Sequence, residues 1–117
     1  PSGNWIMQRL QDGLHIAAMP AEMTIPTLVE KLANDELIVR RDAAWNLGRF
    51  GALASDAVPG LIDLLDEEHR LTRRVVIIAL GKIGPKAVAA VPKLEEIRDG
   101  PSLGKVALEA LKRIAGK

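Results

Sequence analysis

The chain repeats itself. Ile25-Pro26-Thr27-Leu28-Val29-Glu30, Val58-Pro59-Gly60-Leu61-Ile62-Asp63 and Val91-Pro92-Lys93-Leu94-Glu95-Glu96 start at positions 25, 58 and 91, a step of 33 residues each time. Upstream of the second and third copies, Arg40-Arg41 and Arg73-Arg74, Leu47-Gly48 and Leu80-Gly81, then Gly51 and Gly84 keep the same step. A fixed period of this length marks an array in which each unit buries its apolar face against the next, so it constrains the fold before any local propensity does. A shortened copy of the upstream half comes after them as Lys105, Ala107, Leu111, Arg113 and Ile114, displaced by 31 residues from its predecessor, while Trp5 to Met19 fits the pattern only loosely.

Within a unit the apolar residues recur at helical spacing: Ala43, Ala44, Leu47 and Phe50, then Val58, Leu61 and Leu65. This predicts two short amphipathic helices per unit. Gly48 and Gly51, then Gly81 and Gly84, are expected to punctuate the turn between them, with Ser55 capping the second helix and Pro59 in its opening turn. Taken alone, the β-branched run Val75-Val76-Ile77-Ile78 favours a strand. Its repeat mate, Asp42-Ala43-Ala44-Trp45, predicts a helix there instead.

The segments Val39-Arg40-Arg41-Asp42-Ala43-Ala44-Trp45-Asn46-Leu47-Gly48 and Arg73 to Gly84, each followed by an alanine-rich stretch and Val-Pro-x-Leu, resemble HEAT-like repeats of the bacterial kind often called phycobilisome-lyase-like. The resemblance spans roughly residues 20 to 115. It implies an all-α fold, a right-handed α-solenoid (α-α superhelix) of about three helix-pair repeats of 33 residues plus a terminal helix. First helices would line the convex side and second helices the concave side. One domain over 1–117 is expected, with a degenerate first unit at about 4–33, units at 34–66 and 67–99, and a C-terminal helix at 101–116. Thr72 stands where such repeats usually have Val, and Gly104 where they have Arg, departures suited to a terminal cap. The Pro1-Ser2-Gly3 start, without an initiator Met, reads as processing or a vector-derived remnant.

Composition narrows the chemistry. With 117 residues, of which 48% are hydrophobic, a self-supporting core is feasible. The absence of cysteine excludes disulfides, thiolate metal sites and a Cys nucleophile. Lys plus Arg number 16 against 15 Asp plus Glu, so bulk charge argues for neither nucleic acid nor membrane. No apolar run approaches the roughly 18 residues of a membrane span, and no signal pattern opens the chain, which sets the expectation of a cytoplasmic protein without a membrane partner. His15 and His69, the two histidines, have no second ligand at helical spacing, unlike the His-Glu pairs of metal-dependent hydroxylases built on HEAT repeats. Ser2, Ser55 and Ser102 lack a paired His, and the Gly-rich turns lack a following Lys-Ser or Lys-Thr. The expectation is a non-enzymatic protein with no catalytic residue, no cofactor and no metal.

Helical projection assigns faces. At 100° per residue from Leu47, Arg40 falls about 20° from the centre of the buried face, and its mate is Arg73. The family resemblance implies that such an arginine pairs with an acid of the adjoining unit. Arg41, Trp45 and Arg49 lie about 120°, 160° and 200° away and project outward. Their mates are Arg74, Ile78 and Lys82, then Lys105, Glu109 and Arg113. Stacked units would therefore present two basic rows flanking Trp45 and Ile78, with Arg41 or Arg49 placed to hold the indole by a cation-π contact. Val75 and Ile78 are the outer apolar positions expected at a contact with another copy or a further repeat. On the second helices, Asp63 points about 200° from Leu61, and Glu30 and Glu96 share its place. This acidic row, with Asn34 and Glu67 beside it and Thr27, Gly60 and Lys93 adjoining, is expected to border a shallow inner groove.

The leading expectation is a protein-interaction module or scaffold with a protein partner. The alternative is nucleic-acid binding through Arg41, Arg74 and Lys105 and through Arg49, Lys82 and Arg113, set against a near-neutral charge. A chromophore-lyase-like or chaperone-like activity, suggested by the family label, is a distant third.

Overall fold

The computed structural model describes residues 23–116, all of whose regular structure is helical. Trp5 to Met19, His15 and the Pro1-Ser2-Gly3 start lie outside the described residues, as does most of the first unit. The helices are α1 (Ile25–Lys31), α2 (Leu37–Arg49), α3 (Val58–Leu64), α4 (Arg70–Ile83), α5 (Val91–Arg98) and α6 (Gly104–Ile114). The β-branched run at 75–78 is helical, inside α4, where Val76 and Ile77 are buried. Packing overrides its strand propensity because the apolar period there is that of a helix.

The longer helices α2, α4 and α6 lie side by side, and each shorter helix packs back on its neighbours, α1 on α2, α3 on α4 and α5 on α6. Each short helix opens on Pro in its first turn, where the missing N–H would have had no helical partner. The repeat mates Leu28, Leu61 and Leu94 are 2%, 0% and 0% exposed, so the period seen in the sequence is the period of the core.

The corners differ from the simple turns the glycines suggest. Single 3-10 turns, Gly51–Ala57 and Gly84–Ala90, link α2 to α3 and α4 to α5. Gly84 has φ 81°, ψ −145°, a conformation that a Cβ disfavours, and there the chain leaves α4. Gly48 and Gly81, by contrast, are not turn residues. They sit within α2 and α4, and a Cβ built on Gly48 would fall 2.9 Å from Ala79 Cα, one on Gly81 3.1 Å from Ala110 Cα. They are the points of closest helix approach. Ser55 also departs from expectation: the residue before α3 is Ala57, no side chain caps it, and Ser55 lies in the 3-10 turn, where its carbonyl accepts the Val58 N–H.

One expectation about apolar runs is corrected. Counted as one helical stretch, Arg70–Arg98 is long and apolar enough to cross a membrane, with a mean hydropathy of 1.6 in an 18-residue window. Half of that window is buried in the protein, and Gly84 divides it into α4 and α5, of 14 and 8 residues. The hydropathy reflects two helices packed into one core.

Candidate interaction surface

Arg40, half-buried at the start of α2, fastens three pieces of chain. Its Nε donates to Glu67 Oε2 at 2.9 Å, and its Nη1 donates to the carbonyls of Asn34 (2.7 Å) and Asp35 (3.0 Å). Arg73 repeats the carbonyl half, donating to Glu67 O at 2.8 Å and Glu68 O at 2.9 Å. It has no acid partner among the described residues, because the repeat mate of Glu67 is Gly100. The pairing implied by the resemblance therefore holds for Arg40 and not for Arg73. Glu67 is consequently removed from the groove in which the sequence placed it. Asn34 is also engaged locally, its Oδ1 accepting the Glu36 N–H at 2.8 Å.

Arg49, Arg74 and Lys82 are exposed, Arg41 and Ile78 are half-buried, and Trp45 is 45% exposed. The cation over the indole is Lys82, its Nζ 4.9 Å from the ring centroid, and not Arg41 or Arg49 as projected. The reason is tertiary: a single-helix projection compares neighbours on α2, whereas α4 stacks alongside and brings its own last turn over Trp45. Val75 does not join the outer patch, since it packs against the core. Ile78 instead borders a cavity of about 210 Å³ formed by Gly81 and Lys82 of α4 with Val106, Glu109 and Arg113 of α6. Glu109 and Arg113 pair across one helical turn at 3.7 Å. A second cavity, of about 240 Å³, lies against Met23, Asn46, Arg49 and Phe50.

Glu30, Asp63 and Glu96 are exposed on α1, α3 and α5. Lys93 crosses between units beside them, its Nζ 2.9 Å from Asp66 Oδ1. The hydrogen bond to that carboxylate, aided by its charge, holds the Lys93 ammonium above its usual pKa of 10.5. Arg98 is shifted the same way by its hydrogen bond to Asp99. Two of the positions adjoining this row are filled, Lys93 by its ion pair and Gly60 by Leu32, whose Cδ1 lies 3.0 Å from where a Cβ would sit. The cavities of about 210 and 240 Å³ are on the other helices.

Among the described residues no three of His, Asp and Glu converge as a metal site would require. His69, exposed at the start of α4, lies with its Nδ1 3.4 Å from Thr72 Oγ1. Arg70, Ser102 and Val106 were not singled out by the sequence, because none of the three recurs with the repeat.

A family model described as HEAT repeats matches residues 17–115. No curated protein and no solved structure matches the chain.

Proposed function

Because this chain belongs to the HEAT-repeat family, whose repeats generally mediate protein–protein interaction or scaffolding, we propose that it is a non-enzymatic, cytoplasmic interaction module whose partner docks on the outer faces of α2, α4 and α6. In this reading the 33-residue units form a single right-handed solenoid of about three helix pairs and a terminal helix, of the phycobilisome-lyase-like kind.

The observation that carries the proposal is Trp45. An indole 45% exposed, held by Lys82, beside a cavity bordered by Ile78, is the kind of aromatic and cationic surface that interfaces enrich. Arg41, Arg49 and Arg74 flank it. The acidic row of Glu30, Asp63 and Glu96 is assigned the secondary role of repelling acidic competitors from the opposite side. The test is affinity capture from a lysate of the source organism, with and without nuclease, comparing wild type, Trp45→Ala and Ile78→Glu. A defined protein that survives nuclease and is lost from both variants is expected. Recovery that collapses with nuclease would overturn the reading in favour of nucleic acid bound by the basic rows.

A further inference from the structure

Two cavities meet along the outer side of the α4–α6 seam. Val106 borders both. The first is the one beside Ile78; the second, of about 380 Å³, lies toward the helix starts and is lined by Arg70, Arg74 and Lys105 with Pro101, Leu103 and Gly104. No carboxylate lines it. Among the described residues, none of those three cations lies within 4.0 Å of a carboxylate. Arg70 has only a neutral acceptor, its Nε donating to Ser102 Oγ at 2.8 Å.

The repeat explains this surplus of positive charge. At the α2–α4 seam, Glu67 neutralises Arg40, but its mate at the α4–α6 seam is Gly100. Gly104 takes the place of Arg73 because a Cβ there would fall 2.9 Å from Arg98 O, the loop being two residues shorter. The corner that an arginine side chain fills in the preceding unit thus borders the open cavity. Within α6 the first amide to reach back is that of Ala107, bonded to Leu103 O, so the N–H groups of the helix's first three residues have no intrahelical acceptor.

We infer that this seam binds an extended partner segment carrying a phosphorylated side chain, with the phosphoryl group in the basic cavity and an apolar side chain in the cavity beside Ile78. The inference rests on the interaction reading above and names the chemistry of its partner. A phosphoryl group brings nearly two negative charges and three acceptor oxygens, matching three unneutralised cations better than one carboxylate does. Arg74 and Ile78 are one helical turn apart, about 6 Å, and an extended chain advances about 3.3 Å per residue, so the apolar residue follows or precedes the phosphorylated one by about two to four positions. A nucleic acid is disfavoured because its evenly spaced phosphates would lie on Ile78 and Glu109.

The probe is a fluorescein-labelled, otherwise neutral short peptide with one phosphoserine and a leucine three positions away on either side, read by anisotropy. The phosphopeptide is expected to bind about tenfold or more tightly than its Ser and Glu versions, and to lose about tenfold on Arg74→Gln or Lys105→Gln. Replacing its leucine with serine, or Ile78→Asp in the protein, should each weaken it further. Circular dichroism confirms that the variants stay helical. Equal binding of the Ser peptide, indifference to Arg74 and Lys105, or inorganic phosphate competing as strongly as the peptide would each overturn the inference. Tighter binding of a single-stranded oligonucleotide would overturn it in favour of nucleic acid. If the peptide fails while a nuclease-resistant partner is still captured and lost with Trp45→Ala, the phosphate assignment falls and the interaction reading stands.

Discussion

Gly48 of α2 faces Ala79 of α4 so closely that a methyl group on the glycine would lie 2.9 Å from Ala79 Cα and 3.0 Å from Ala79 Cβ. The obstacle is backbone, which cannot rotate aside as a side chain can. The same arrangement recurs one unit on, where a Cβ on Gly81 would meet Ala110 Cα at 3.1 Å and Cβ at 3.2 Å. The α4–α6 contact is looser by 0.2 Å at each atom, and that small difference decides whether an added methyl is tolerated.

Glycine in a helix interior normally gains about 1 kcal/mol on replacement by alanine. At Gly48 overpacking opposes that gain with a cost of about 1–3 kcal/mol, so Gly48→Ala is expected to destabilise. Gly81→Ala is expected near neutral. Urea denaturation of the two variants checks the order, and a double-mutant cycle with Ala79→Gly should show coupling at Gly48. If Gly48→Ala proved the more stable protein, the close approach would not hold in solution.

Arg40→Ala removes a charged pair and two loop carbonyl bonds, while Arg73→Ala removes only carbonyl bonds. Hydrogen bonds to charged groups contribute about 1.5–3 kcal/mol, so Arg40→Ala should be the costlier change by roughly one such bond. Glu67→Gln keeps the loop anchored and should cost about 1 kcal/mol, with part of the loss masked at high salt. Thermal melts at low and high ionic strength read the difference.

The Lys82 ammonium over Trp45 is an exposed cation-π pair, worth about 0.5–1 kcal/mol. In a Trp5→Phe background, where Trp45 is the sole indole, Lys82→Met should change its emission and Arg49→Met should not. An equal response to both would return the contact to the arrangement projected from α2 alone.

Lys93 has a pKa raised above 10.5 by Asp66. Stability from this pair is therefore complete below the unfolded value and fades as pH rises through the folded one. The pair is exposed, so the effect is small. Wild type should exceed Lys93→Met slightly in melting temperature near neutral pH and lose that margin well above pH 10.5. A margin that grew with alkalinity would contradict the pairing.

Much of this was legible in the chain itself. Helix pairs, the buried Leu28, Leu61 and Leu94, and the outward Trp45 all stem from a 33-residue step combined with a helical period, since both are properties of one chain segment and its copy. The Arg40–Glu67 pair was legible only as an implication of family resemblance.

Other features depend on how one helix lies against the next. Gly48 and Gly81 look like turn residues until α2, α4 and α6 are brought side by side. Ser55 has the chemistry of a cap, but the 3-10 corner starts α3 beyond its reach. Lys82, one turn past Ile78 in α4, reaches Trp45 because stacked helices are staggered, and a projection of a single helix carries no stagger. The basic cavity comes from residues that break the repeat, Arg70, Gly100, Ser102 and Gly104, in a loop shortened by two. Periodicity specified what each unit must bury, a matter of composition and spacing along one helix. Which charges were left without partners was decided by distances between helices, which only the packed chain sets.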